Sequence, residues 1–198
     1  VATEGRVTTD AVRLVTPTCV LRPLVPADAP TLARHADDRA VASQLRDRFP
    51  SPYTLDDAEW YVAHVAERTA ATGRVTSFAI DVGGEAVGGI SLVPGTDIER
   101  VGAEIGYWLG RAHWGRGIVS HAVVALTAHA LGALGYLRLF AVPFADNVAS
   151  CRVLERAGYA LEGTMRASAI KDGVVRDQRL YAAVHDTWRP HASPPASG

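Results

Sequence analysis

A mixed α+β fold built on one sheet is what this sequence predicts, and three observations carry the prediction. Segments with helical apolar spacing alternate with segments of branched and aromatic residues at strand spacing. Two glycine-bearing pairs, Gly83-Gly84 and Asp172-Gly173, separate strand-like runs at hairpin distance. An apolar run ending at Leu109 leads through Trp114-Gly115-Arg116-Gly117 into a long apolar-periodic segment from Ile118, a strand–glycine loop–helix succession.

Each element follows from local chemistry. Residues 1–11 are polar and mixed and read as a disordered N-terminal segment, without the apolar stretch of a signal peptide. Thr18 to Leu24 reads as a strand and Asp28 to Ala36 as a helix, with Pro30 acceptable in its first turn. Arg39 to Arg48 reads as a short helix, broken by Phe49-Pro50-Ser51-Pro52-Tyr53. Thr54 caps the next helix; Asp56 and Asp57 lie in its first turn, and Ala58, Tyr61, Val62, Val65 and Ala66 form its apolar face. Val75 to Val82 and Glu85 to Leu92 form a hairpin about Gly83-Gly84, and Val101 to Leu109 is a further strand. Ile118 to Leu134 is a long helix with Val119, Ala122, Val123, Leu126, Ala130 and Leu134 on one face. Leu137 to Val142 reads as a continuous apolar strand, buried on both sides. Val148 to Ala157 is a helix stopped by Gly158, and Tyr159 to Ala167 and Val174 to Val184 are strands joined near Asp172-Gly173. One domain over residues 12–188 and a flexible Pro/Ser-rich tail over 189–198 complete the expected organisation.

Composition narrows the function classes. The chain has 198 residues and 48% hydrophobic residues, enough for a substantial core. Its 20 basic and 21 acidic residues give a net charge of -1, which argues against a general nucleic-acid or membrane-surface binder. No apolar run approaches the roughly 20 residues of a membrane-spanning helix. The two cysteines, Cys19 and Cys151, and the seven histidines show no metal-ligand spacing, so no metal is expected. A cytoplasmic location is the expectation.

The loop at 114–117 carries the chemistry. Taken alone, its glycines fit any turn that needs positive φ. Placed after a strand and before a helix, with Arg111 and Arg116 as counter-charges, they fit an anion held on helix N-terminal amides. No Gly-Lys-Ser/Thr follows, which excludes a P-loop. The third glycine of a dinucleotide fingerprint is missing, and no parallel strand is expected to close in front of the loop.

Four motifs in order then resemble one family. They are Arg22-Pro23-Leu24 with Asp28; Glu104-Ile105-Gly106-Tyr107-Trp108-Leu109; Trp114-Gly115-Arg116-Gly117-Ile118; and Asn147-Val148-Ala149-Ser150 with Leu154-Glu155-Arg156-Ala157-Gly158-Tyr159 and Glu162-Gly163. A late Asp-Gly turn, with Asp177 and Tyr181 beyond it, also fits. Over about residues 18 to 185 the chain resembles the GNAT superfamily of acyl-CoA-dependent N-acyltransferases. It is nearest to the RimJ/RimL type, which acetylates N-terminal amines of ribosomal proteins. It departs from the general pattern at Trp114 (usual in the RimJ/RimL branch), at Val119 in place of a small residue, and at Leu154, where many relatives carry an acid Tyr.

The resemblance implies a mostly antiparallel sheet splayed into a V, flanked by about four helices, with acetyl-CoA (coenzyme A) in the opening between the strand ending at Leu109 and the strand Leu137 to Val142. It implies cofactor contacts at Tyr107, Trp108, Leu109, Gly115, Arg116, Gly117, Ile118, Val119, Ser120, Asn147 and Ser150. It implies direct acetyl transfer to a primary amine, either a protein N-terminus or a small molecule, with a homodimer as one arrangement of the chain. An acyltransferase using a longer donor such as succinyl-CoA, and a CoA-binding protein without catalysis, are the alternatives. Glu104 is the candidate base and Ser150 the candidate proton donor to the departing thiolate. Glu104 also reads as a strand-edge solvent residue, Ser150 as a partner of a helix carbonyl, and Asn147 as an N-cap. His113 reads as a phosphate contact or a solvated loop residue, and Cys151 lacks an activating histidine. The acceptor groove falls to Leu45–Tyr53, with Phe49 and Tyr53 as substrate contacts or a packed turn, and to the region Met165–Asp177.

Overall fold

A computed structural model describes residues 12–190; the expected disordered segment 1–11 and the tail from residue 191 lie outside the described residues. The strands are β1 (Leu14–Val15), β2 (Val20–Pro23), β3 (Ser77–Val82), β4 (Glu85–Pro94), β5 (Gly102–Leu109), β6 (Arg138–Ala141), β7 (Ala160–Lys171) and β8 (Val174–Val184). The helices are α1 (Ala29–Ala36), α2 (Arg39–Ala42), α3 (Leu55–Thr72), α4 (Ile118–Gly132) and α5 (Val148–Arg156). Among the described residues the strands form one sheet in the order β1-β2-β3-β4-β5-β6-β8-β7. Neighbours are antiparallel except β5 and β6. The predicted mixed α+β class is the class observed.

The sheet has helices on both faces. Ala122, Val123, Leu126 and Ala130 of α4 and Cys151, Leu154 and Ala157 at α5 join one buried cluster with Ile105 and Leu109 of β5. Leu32 and Ala36 of α1 and Ala58 and Val62 of α3 form the other cluster with Tyr53, Ala79 and Ala86, and Trp108 packs against it. Successive residues of β5 alternate between these layers, as strand geometry requires. Helix ends follow the capping chemistry. The Thr54 hydroxyl accepts from the Asp57 amide at 3.2 Å, and the Asp57 carboxylate accepts from the Thr54 amide at 2.8 Å. A side chain at Gly158 would meet the Arg189 carbonyl oxygen at 2.2 Å, so the turn after α5 admits only glycine.

Arg22 explains the opening motif. Its guanidinium donates from Nη1 and Nη2 to both carboxylate oxygens of Asp28, at 2.8 and 2.7 Å, and from Nε to Asp81 at 2.6 Å. All three side chains are at most 15% exposed. These hydrogen bonds, Asp28 first, hold the Arg22 pKa above its ordinary value despite burial. The network ties β2 and β3 to the start of α1.

Several expected elements differ in the structure. The Arg39–Arg48 helix stops at Ala42, and beyond it Arg46 and Asp47 pair with Glu104 and Lys171 on the sheet. Ala66 is exposed, leaving Ala58, Val62 and Val65 as the buried stripe of α3. The strand expected to end at Ala167 runs to Lys171 through an irregularity between Met165 and Ala169. There Ala167 has φ 49°, its amide donates to Asp177 at 2.8 Å, and the Ser168 hydroxyl donates to Gln178 at 3.1 Å. Asp177 thus satisfies an amide that a regular ladder would pair. The Leu137–Val142 strand shortens to β6 and is buried on one face only, with Arg138 and Phe140 half-buried. A parallel strand does follow the glycine loop: Gly102, Ala103 and Glu104 pair with Arg138, Leu139 and Phe140. Beyond Glu104, β5 is paired only with β4, and its other edge opens. Among the described residues no helix is long and apolar enough to cross a membrane, and no group of three His, Cys, Asp or Glu is placed to hold a metal.

Replacing Arg22 with Met leaves two buried carboxylates without their cation and is expected to cost about 3 kcal/mol of folding stability. Urea unfolding followed by circular dichroism measures it; an unchanged midpoint contradicts a load-carrying role for the Arg22 network.

Candidate active site

The open edge of β5 meets two helix N-termini. At the first, Gly115 and Gly117 have φ of 76° and 73°, and Gly117 caps α4 with no side chain satisfying the first-turn amides. Those amides, from Ile118 to Ser120, have no acceptor one turn earlier in the helix. The Trp114 indole donates to the Leu109 carbonyl at 2.7 Å and pins the loop to the end of β5. The Thr18 hydroxyl lies 2.9 Å from His121 Nδ1 and ties the first turn of α4 to the residues before β2. Ile118 is buried, and Val119 packs against the α4-side core, so its bulk is used in packing. Arg116 is exposed at the loop. This donor set fits an anionic pyrophosphate held on backbone amides.

His113, in the turn before the loop, is half-buried. Its Nδ1 is buried without a partner, and its ring meets His35 edge-on at 5.2 Å. Burial, then His35 and Arg116, hold its pKa below the ordinary value.

The N-terminus of α5 forms the opposite wall. Asn147 is its N-cap, its side-chain oxygen accepting from the Ser150 amide at 3.0 Å. The Ser150 hydroxyl lies 2.8 Å from the Tyr107 hydroxyl, which comes from β5. Burial pushes the Tyr107 phenol above its ordinary pKa. Leu154, one turn further along α5, is fully buried, and so is Cys151.

On the other face of β5, Glu104 ion-pairs with Arg46. Trp108, two strand positions beyond Gly106 on that same face, meets Phe49 edge-on at 5.6 Å, and Phe49 in turn packs on Tyr53 at 4.8 Å. Tyr53 belongs to the buried α1/α3 core, where burial raises its pKa to about 12. A cleft of about 390 Å³ lies beside Arg46, lined among others by Gln44, Phe144, Met165, Lys171 and Gln178. Phe49 and Tyr53 are not in its lining. The buried Lys171 ammonium pairs with Asp47 at 2.8 Å. Arg176 sits 3.9 Å over the Phe144 ring and pairs with Asp146.

Glu104, Tyr107, Trp108 and Leu109 thus lie on the strand whose edge opens, Gly115–Ser120 follow it into α4, and Asn147 and Ser150 start α5 against Tyr107, with Glu104 and Trp108 on one face of the sheet and Tyr107 and Ser150 on the other. Sequence reasoning missed the pairing of the Tyr107 and Ser150 hydroxyls and the cleft residues Gln44 and Gln178, while Met165 and Lys171 fall inside the expected groove region Met165–Asp177. The mixed signs of Arg46-Asp47-Arg48 were the available signal, since Arg46 and Asp47 both have ion-pair partners on the sheet.

Comparison with known proteins places the family and the fold. Residues 19–160 match the acetyltransferase (GNAT) domain. The chain is 40% identical over 86 residues to the ribosomal-protein-serine acetyltransferase of Escherichia coli strain K12, covering 43% of this chain and 48% of that protein. It is 29% identical over 173 residues to the N-acetyltransferase p20 of Bacillus licheniformis, covering 85% of this chain and 94% of that one. The chain spans about half the length of the curated relatives it matches at higher identity. Its fold is similar to RimL, a ribosomal L7/L12 alpha-N-protein acetyltransferase solved with coenzyme A, at a TM-score of 0.77 and 24% identity over 88% of this chain and 99% of that one.

Proposed function

We propose that this chain, which belongs to the acetyltransferase (GNAT) family, transfers an acetyl group from acetyl-CoA directly to a primary amine. The observation that carries the reading is the opening beside β5, with uncapped helix amides on one side and a carboxylate beside a cleft on the other. A protein N-terminus is the favoured acceptor class. The likeness to the Escherichia coli ribosomal-protein-serine acetyltransferase supports it, and a small amine is the other candidate.

Acetyl-CoA, when bound, supplies an acyl group already activated as a thioester. Amides from Gly115 to Ser120 and the Arg116 guanidinium would hold its pyrophosphate. Main-chain groups of Tyr107, Trp108 and Leu109, on the open edge of β5, would pair with the amides of the pantetheine arm as an added strand does. Asn147 and Ser150 line the facing wall. Glu104 would take the proton of the attacking amine, directly or through a water; an α-amine with a pKa near 8 needs only a modest base. Arg46 holds that carboxylate on the cleft side. A main-chain N–H near Trp108 would donate to the carbonyl oxygen as charge develops there. The Ser150 hydroxyl would donate to the departing thiolate. The cleft lined by Gln44, Met165 and Lys171 would take the acceptor, while Phe49 and Tyr53 pack with Trp108 outside its lining.

A cytoplasmic setting and a homodimer belong to the same reading. The exposed Leu161, Ile170, Val174 and Val175 along the β7–β8 hairpin, at the sheet edge, support the second.

Free-thiol release from acetyl-CoA with a panel of peptides and small amines tests the reading. Release that depends on the amine is expected. Tight CoA binding without release for any amine would make the chain a CoA-binding protein, and release only with succinyl-CoA would make it a longer-chain acyltransferase. Glu104→Gln is expected to slow turnover about a hundredfold and to remove one ionisation from the acid limb of the pH–rate profile, leaving CoA affinity intact. An unaltered profile contradicts the base assignment.

A further inference from the structure

We propose that Tyr107 is a positioning residue, whose buried hydroxyl donates to Ser150 Oγ and so turns the Ser150 proton toward the cofactor sulfur. The proposal rests on the acyltransferase reading above and adds a residue to it.

Two hydroxyls meet between β5 and α5, each with one proton. Tyr107 Oη lies 2.8 Å from Ser150 Oγ and 3.4 Å from the Ser150 carbonyl oxygen. A buried O–H must be given to an acceptor, because leaving it unpaired costs about 1–3 kcal/mol. The nearer and better-placed acceptor is Ser150 Oγ. The phenol also stays protonated through the working range, since burial raises its pKa. It therefore remains a donor and cannot accept the serine proton while giving up its own in the same contact.

Ser150 is constrained in turn. Its amide is committed to the Asn147 side chain at 3.0 Å. It lies in the first turn of α5, where side chains lean toward the helix N-terminus and hence toward the opening. Its hydroxyl oxygen is taken by Tyr107. The serine hydrogen is left to point away from the phenol, toward the space between β5 and α5. A hydroxyl that is itself accepting a hydrogen bond is a stronger donor. Such a donor suits a departing thiolate, whose charge a hydrogen bond stabilises. No proton leaves Tyr107 in this account; the phenol orients and polarises a hydroxyl that touches the sulfur.

The same physics gives a signature in the complex with CoA alone, with no acceptor and no turnover. A donor aimed at the sulfur favours its charged form, so the thiol of bound CoA should ionise at lower pH than the thiol of free CoA. Ultraviolet thiolate absorbance of the CoA-loaded protein, titrated over the alkaline range, reads this directly. Tyr107→Phe, which keeps the ring and its packing, should raise the bound thiol pKa. Ser150→Ala should raise it at least as far, and the double variant no further than Ser150→Ala. Turnover of Tyr107→Phe should fall about tenfold with little change in KM for acetyl-CoA. A lowered thiol pKa in the unaltered protein that Tyr107→Phe leaves in place overturns the positioning role alone. Additive effects of the two substitutions overturn it as well, because they would mean that the phenol does not act through the serine. Failure of the unaltered protein to bind CoA overturns the acyltransferase reading, and this proposal with it.

Discussion

The parallel pairing of β5 with β6 lasts for three residues, and the rest of the site depends on its ending there. A longer ladder would close the sheet and satisfy the edge of β5. Instead β6 stops at Ala141, and the chain continues through Val142 and Pro143, whose ring cannot donate to a ladder. The Pro143 carbonyl accepts from the Arg179 amide at 3.0 Å, and Phe144 bridges to Gln178, so the chain beyond β6 is held on the β8 side. β5 goes on alone to Leu109. Its free edge, the bare amides of α4 and the capped start of α5 then surround one gap.

That gap joins two chemically different faces. The α4/α5 face offers backbone donors, the exposed Arg116 and the paired hydroxyls of Tyr107 and Ser150. The α1/α3 face offers Glu104, held by Arg46, beside a cleft where Lys171 and Asp47 neutralise one another. An anionic thioester donor suits the first and a neutral amine the second, and strand alternation along β5 serves both from adjacent residues. The Arg22 network fixes the β2–β3 side of the sheet to the start of α1.

Much of this was legible locally. The capping box at Thr54, the stop at Gly158, the N-cap at Asn147 and the strand–glycine loop–helix at 102–132 follow from residues within a few positions of each other. What the sequence hid was non-local. Arg46 and Asp47 reach partners 58 and 124 residues away, in a segment that local pattern reads as helix up to Arg48. Tyr107 and Ser150 are 43 residues apart and on different elements. A run such as Leu137–Val142 is consistent with burial on both faces, and only the tertiary packing leaves Arg138 and Phe140 half-buried. Tyr53 could be placed near the groove from its neighbours, but its burial under α1 and α3 depends on tertiary packing.

The central claim is that the cofactor lies along the free edge of β5 with its phosphates on the start of α4. Amide hydrogen exchange of the full chain with and without CoA tests it most directly. The account predicts slowed exchange at residues 107–109 and 115–120, with α3 unchanged. Protection confined to other segments, or none at 115–120 under conditions where CoA is bound, would contradict it.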